Sequence, residues 1–236
     1  MKMMRKMGFN EQWVQLIFKC VSTVSYSIKI NGSYTHRLIP QRGLRQGDPL
    51  SPYLFILCAE GLSALLQRLE YTRKIEGVKI CRDAPSVNHL FFADDSLILM
   101  KARTSDAQHL AHILQIYERA SGQMINKDKS YIMFSPNTNQ YVRTEIKACL
   151  SIDYETKGEN YLGLPVSVGK SRKRTFEYIK KKIWGRIQGW QEKLLSKVGK
   201  EILIKAVAQS SPTYAMSCFD LTKSLCDELS MMIAKY

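Results

Sequence analysis

The chain has no C-x-x-C pair, and its six cysteines (Cys20, Cys58, Cys81, Cys149, Cys218, Cys226) are scattered. Neither a zinc site nor a disulfide framework follows from such spacing, and reduced thiols in a nuclear or cytoplasmic protein are the expectation. No apolar run reaches the ~20 residues that a membrane span needs. The longest, YLFILCAEGLSALL, is broken by Glu60. The opening MKMMRKMGFN is basic but lacks the apolar stretch of a secretory signal. Repeats and low-complexity tracts are absent. Acidic residues are scarce where they would matter: between Met1 and Gly47 there is one, Glu11.

What is present is a basic chain of 236 residues with 45% hydrophobic residues, enough to bury one large core or two modest ones. Its net charge of +14 suits a polyanionic partner. The surplus is uneven. From Lys170 to Lys205 there are 12 Lys/Arg against 3 acids (Glu177, Glu192, Glu201). A run of one sign fits contact with phosphates as well as it fits a solvated helix face.

The apolar spacing predicts a helix over Phe9–Thr23, with Trp13, Leu16, Ile17, Cys20 and Val21 inward. Asn31-Gly32 predicts a hairpin, because both residues tolerate positive φ. The loop QRGLRQGDP leads into a helix to about Leu69, capped by Asp48 or Ser51. Val78–Ile80, Val87–Phe92 and Leu97–Met100 read as strands, and YIMF as a short one. Thr104 is the expected N-cap of a helix through Ala120, with Leu110, Ile113, Leu114 and Tyr117 on one face. Val142–Leu150 reads as a helix. After Gly169 only helices follow. Phe176, Ile179, Ile183, Ile187, Trp190 and Leu194 step by three and four, and further helices are expected over Lys200–Gln209 and Leu221–Tyr236.

The chemically telling stretch is HLFFADDSLILM, His89 to Met100. Two adjacent carboxylates repel unless a cation shares them. Asp94 and Asp95, at a tight turn between strand-prone runs, suit a hard divalent ion such as Mg²⁺, and paired ions of this kind serve phosphoryl transfer. An aspartate turn is also a common structural feature. Two other patterns carry less. In GLPVSVGKS, Gly163 and Gly169 enclose five residues, where a phosphate-binding loop needs four. His109 and His112 share a helix face without a further ligand and read as solvated.

FADD, RQGDPLSPYLF, GQMINKDKS, YLGLPVSVGKSR and KIWGRIQGWQEKLLSKVGKEILIKAVAQSSPTYAMSCF together resemble reverse transcriptases of non-LTR, LINE-type retrotransposons, the plant kind above all. The order and spacing of the motifs match over nearly the whole chain. The resemblance implies an α+β fold: a partial polymerase palm, an antiparallel sheet packed by helices, over residues 1–168, then an all-helical basic thumb over 169–236. It implies RNA-directed DNA synthesis on an RNA template and DNA primer with deoxynucleotide triphosphates, and Mg²⁺ or Mn²⁺ as cofactor.

The same resemblance implies roles for individual residues. Asp94 and Asp95 would hold the catalytic ion. Arg45, Gln46 and Gly47 would line the incoming-nucleotide pocket. Lys129 would help pyrophosphate leave. Tyr161, Leu162 and Gly163 would form the primer grip, and Lys170, Arg172, Lys173, Arg174, Lys180 and Lys181 would grip the nucleic-acid backbone. Polymerases of this kind use a third carboxylate on a strand ahead of the Gly43–Leu69 region, and this chain offers none there. The expectation is therefore a palm short of a strand, weakened ion binding and no synthesis by the isolated chain. A non-catalytic nucleic-acid binder is the alternative.

Overall fold

The computed structural model describes residues 1–40, 43–156, 158, 160–169, 171–191 and 195–236, and the helical residue Gln191 by its backbone alone. Lys170 and Leu194 lie outside the described residues. The chain divides into two compact units, Met1–Thr156 and Lys157–Tyr236. Helices and small antiparallel sheets make up both, an α+β composition.

In the first unit, α1 (Lys2–Lys6) and α2 (Glu11–Ser22) precede the hairpin β1–β2 (Lys29–Ile30, Ser33–Tyr34). Asn10 caps α2 by accepting from the Gln12 N–H at 2.8 Å. Asn31 and Gly32 turn the hairpin at φ +47° and +86°, as the Asn-Gly pair predicted. Of the set expected inward on α2, Ile17 is buried and Val21 half-buried, and the rest turn outward. Val14 and Ile17 are buried with Met4, against Leu50, Leu54 and Leu57, while Trp13, Leu16 and Cys20 face solvent. Residues 13/16/20 and 14/17/21 are adjacent stripes with the same spacing, so periodicity alone could not choose between them.

α3 (Ser51–Tyr71) is the long helix of this unit. Asp48 does not cap it directly: its carboxylate accepts from the Leu50 N–H at 2.8 Å, and the Ser51 hydroxyl donates to the Arg45 carbonyl at 2.8 Å. α4 (Thr104–Ser121) packs on α3, and Leu62, Leu66, Leu69, Ile75, Leu110, Ile113 and Tyr117 form the buried core between them. Each such side chain contributes about 1.5–3 kcal/mol when removed from water. Thr104 begins α4 rather than capping it. Its hydroxyl donates to Glu145 of α5 (Gln140–Leu150) at 2.6 Å, so a tertiary bond takes the group that would have capped. His109, expected in solvent, is half-buried.

Between α3 and α4 lies the hairpin β3–β4 (His89–Phe92, Asp95–Ile98). Of the strand expected over Val78–Ile80, only Val78 pairs, with Val87; Ile80 is exposed because a turn at Cys81–Ala84 follows. YIMF likewise contributes only a single parallel bridge, Ile132 to Glu155.

The second unit opens with the two-residue hairpin β5–β6 (Asn160–Tyr161, Leu164–Pro165). Then come α6 (Arg172–Thr175), α7 (Glu177–Gln191), α8 (Lys197–Leu203) running into a π-helical turn over Ile204–Ala208, α9 (Thr213–Cys218) and α10 (Lys223–Ala234). Phe176, Ile179, Ile183 and Ile187 are buried as their spacing predicted, against Leu225, Leu229 and Met232. Leu164 joins this core, which ties β5–β6 to the helices after it. α9 has no counterpart in the sequence reading.

Candidate functional site

The aspartate pair sits at the tip of β3–β4. Phe92 faces Asp95 across the ladder, so Ala93 and Asp94 are the two turn residues and Asp95 opens β4. Ala93 adopts φ +49°. A left-handed backbone costs a residue with a Cβ about 1–2 kcal/mol. Such strain persists where the surroundings hold it, and it gathers at functional sites. Asp94 and Asp95 are both exposed. Nothing in FADD marks Ala93 for this conformation, since residue type favours glycine or asparagine there.

What holds the tip is a polar anchor at the other end of β3, which sequence reading missed. Asn88 is buried, and its amide donates to the Leu66 carbonyl (3.3 Å) and to Glu70 Oε2 (2.7 Å), both on α3. The His89 ring lies between Ser63 Oγ (2.9 Å) and Asn88 Oδ1. Burial pushes the His89 imidazole below its ordinary value, although Glu60 and Glu70 pull it the other way. Asn88 Oδ1 can only accept, so the ring donates to it through Nδ1, and Ser63 meets the other nitrogen. Phe91 and Ile98 then pack on the α3–α4 core, while Leu90 and Phe92 face outward. The hairpin is thus hydrophobic on both faces but fastened through one.

Gly77 belongs to the same anchor. A Cβ there would meet Ser86 Oγ at 2.6 Å, Glu70 Oε1 at 2.8 Å and the Val87 carbonyl at 2.8 Å. Backbone passes too close for any side chain, which is the physical reason for glycine.

The other expected site residues fall as follows. Arg45, Gln46 and Gly47 form an exposed loop leading directly into α3, with Gly47 at φ +82°. α3 therefore carries this loop at its start and the β3 anchor from Ser63 onward. Lys129 is exposed at the end of a 3₁₀ turn, Lys127–Lys129, held by Asn126, whose side chain accepts the Lys129 N–H at 3.1 Å. Leu162 and Gly163 are the turn residues of β5–β6, at φ +53° and +78°, with Tyr161 on the strand before them. The residues Tyr161–Gly163 belong to the second unit; the loop, Lys129 and the aspartates belong to the first.

Among the basic residues of the second unit, Lys173 and Lys180 both reach Glu228 of α10, at 2.5 Å each. The two ammonium groups hold the Glu228 carboxyl down at about 2. Arg172, Arg174 and Lys181 are exposed.

A fit to a divalent ion can be judged from the donors. Asp94 and Asp95 offer hard carboxylate oxygens open to solvent, which suits an ion that keeps waters and substrate phosphates as its other ligands. Among the described residues, no group of three His, Cys, Asp or Glu side chains comes together. Glu11 is no substitute. It accepts from Arg5 at 2.7 and 2.8 Å, and that contact together with Gln15 holds its carboxyl at about 2.

Residues 1–166 match the family described as reverse transcriptase (RNA-dependent DNA polymerase). The chain belongs to that family. A retrovirus-related Pol polyprotein from type-1 retrotransposable element R2 of Popillia japonica is 30% identical over 177 residues, 75% of this chain and 22% of that protein. The uncharacterized 149 kDa protein of transposon TX1 from Xenopus laevis is 26% identical over 219 residues, 92% of this chain and 16% of that protein. An uncharacterized mitochondrial protein of Arabidopsis thaliana is 52% identical over 67 residues, 28% of this chain and 55% of that protein. The chain thus spans about half of the mitochondrial relative and about a fifth of the two element proteins. These relatives place it with reverse transcriptases of non-LTR retrotransposons. The family in general handles a nucleic-acid template, primer and nucleotides with divalent metal ions. Among the described residues no helix is long and apolar enough to cross a membrane.

Proposed function

We propose that the chain is the part of a retroelement reverse transcriptase that supplies two of its metal-binding carboxylates and part of its grip on nucleic acid. The exposed pair Asp94 and Asp95, on an anchored and strained turn, is the observation that carries this reading. They would hold Mg²⁺. When bound, such ions neutralise the attacking and leaving oxygens of an in-line phosphoryl transfer.

The remaining roles follow from the chemistry of each residue. The Arg45 guanidinium would meet a nucleotide phosphate, with Gln46 beside it, and Gly47 would let the backbone approach closely. Lys129 would donate charge or a proton to the leaving pyrophosphate. The Tyr161–Gly163 turn would set the primer end. The helices α6 and α7 would act as a thumb, with Arg172, Arg174 and Lys181 on backbone phosphates. The first unit would serve as the palm.

Two carboxylates hold a divalent ion less firmly than three. Because no third acid joins Asp94 and Asp95 among the described residues, this chain by itself would bind nucleic acid without extending primers. Manganese binding followed by electron paramagnetic resonance tests the site. Wild type should bind Mn²⁺, and Asp94→Asn/Asp95→Asn should bind markedly less; equal binding refutes the assignment. Primer extension on an RNA template tests the rest, and ready product formation by this chain would show the carboxylate set to be sufficient.

A further inference from the structure

Trp184 is the large apolar side chain of α7 that does not join the core. The helix buries Ile179, Ile183 and Ile187, and Trp190 packs against the same core, with its ring 5.7 Å from Tyr236. Trp184 instead stands 43% exposed. Single exposed apolar side chains are ordinary, Trp13 among them, so an external role for this one needs a second observation.

Its surroundings supply one. Glu177, Lys180, Lys181 and Trp184 lie along one face of α7 and border a shallow depression open to solvent. Lys180 is committed to Glu228, and Glu177 adds to that acidic neighbourhood. Lys181 is exposed and has no carboxylate within ion-pair distance among the described residues. It stands three residues before Trp184, on the same helix face.

We infer that Trp184 is a stacking platform for an unpaired base of single-stranded nucleic acid, with Lys181 on the adjoining phosphate. The occupant follows from the chemistry. The net positive charge of the helix selects a polyanion, and the open face of an indole selects a planar aromatic group. A strand with unstacked bases offers both along its length, whereas a duplex keeps its base faces covered. The inference rests on the proposed grip of α6 and α7 on nucleic acid and narrows it to strand state. It gives this helix a role on template or primer outside the paired region.

The test uses the whole chain, a short fluorescein-labelled oligouridylate, and an RNA–DNA duplex of the same length, with binding read by anisotropy across salt concentrations. Trp184→Ala should weaken single-strand binding roughly 5- to 150-fold, the span associated with stacking one base on an aromatic ring. Duplex binding should change less than about twofold, and the salt slope should stay as it was, since no phosphate contact is removed. Trp184→Phe should recover most of the affinity, which separates stacking from loss of fold. Wild type should also show tryptophan quenching by the oligouridylate that Trp184→Phe lacks. Equal single-strand binding by wild type and Trp184→Ala overturns the inference while leaving the grip intact. No binding of either nucleic acid by wild type overturns both.

Discussion

Replacing Gly77 by alanine tests the anchor on which the aspartate turn depends. The added Cβ would lie 2.6 Å from Ser86 Oγ, 2.8 Å from Glu70 Oε1 and 2.8 Å from the Val87 carbonyl. The serine hydroxyl can rotate away. The other two groups are tied: Glu70 accepts from Asn88 at 2.7 Å through its second oxygen, and the Val87 carbonyl accepts from the Val78 N–H at 2.9 Å. Relief therefore means moving backbone or releasing one of these bonds. Overpacking costs about 1–3 kcal/mol and a lost hydrogen bond about 0.5–1.5 kcal/mol, so a destabilisation of about 2–4 kcal/mol is expected. Gly122→Ala is the informative comparison. That glycine ends α4 at φ +75° with nothing within 4 Å, so only left-handed strain of about 1–2 kcal/mol applies. Urea unfolding followed by circular dichroism reads both. A Gly77→Ala variant within about 0.5 kcal/mol of wild type, the scatter of ordinary surface changes, would refute the close approach and with it the rigid seating of β3.

Two further outcomes follow from the second unit. Ile183 is fully buried, and Ile183→Ala should cost about 2–5 kcal/mol through lost burial and the cavity left behind, measured as a shift in urea midpoint. Glu228 has its carboxyl lowered from an ordinary 4.5 to about 2, so it adds stability that is present above pH 4.5 and is lost as pH falls toward 2. Thermal melts over that range should show the loss in wild type and a flatter profile in Glu228→Gln.

Legibility differed between elements for identifiable reasons. The α7 stripe and the Asn31-Gly32 turn were readable because one helix face or one dipeptide determines the outcome locally. The turn that carries the aspartate pair was readable because strand-prone runs flank it on both sides. The inward face of α2 was not, because Met4, Leu50, Leu54 and Leu57 decide between two equivalent stripes and lie far off or unremarked in the sequence. The Asn88–His89–Ser63 anchor was not, because its α3 partners are 18 to 26 residues away and carry no periodic signal. Thr104 misled for a related reason: Glu145, 41 residues on, claims its hydroxyl.

The clasp of Lys173 and Lys180 on one carboxylate changes how the basic stretch should be counted. Two of its cations already face a carboxylate supplied by the protein, so approaching nucleic acid would displace fewer mobile ions than a tally of lysines and arginines suggests. Lys205 is paired in the same way with Glu201, so the proposed grip would fall to the cations without a carboxylate partner among the described residues, Arg172, Arg174, Lys181, Lys182, Arg186, Lys197 and Lys200. Pairing within the fold, rather than abundance in the chain, then decides how steeply salt loosens the hold.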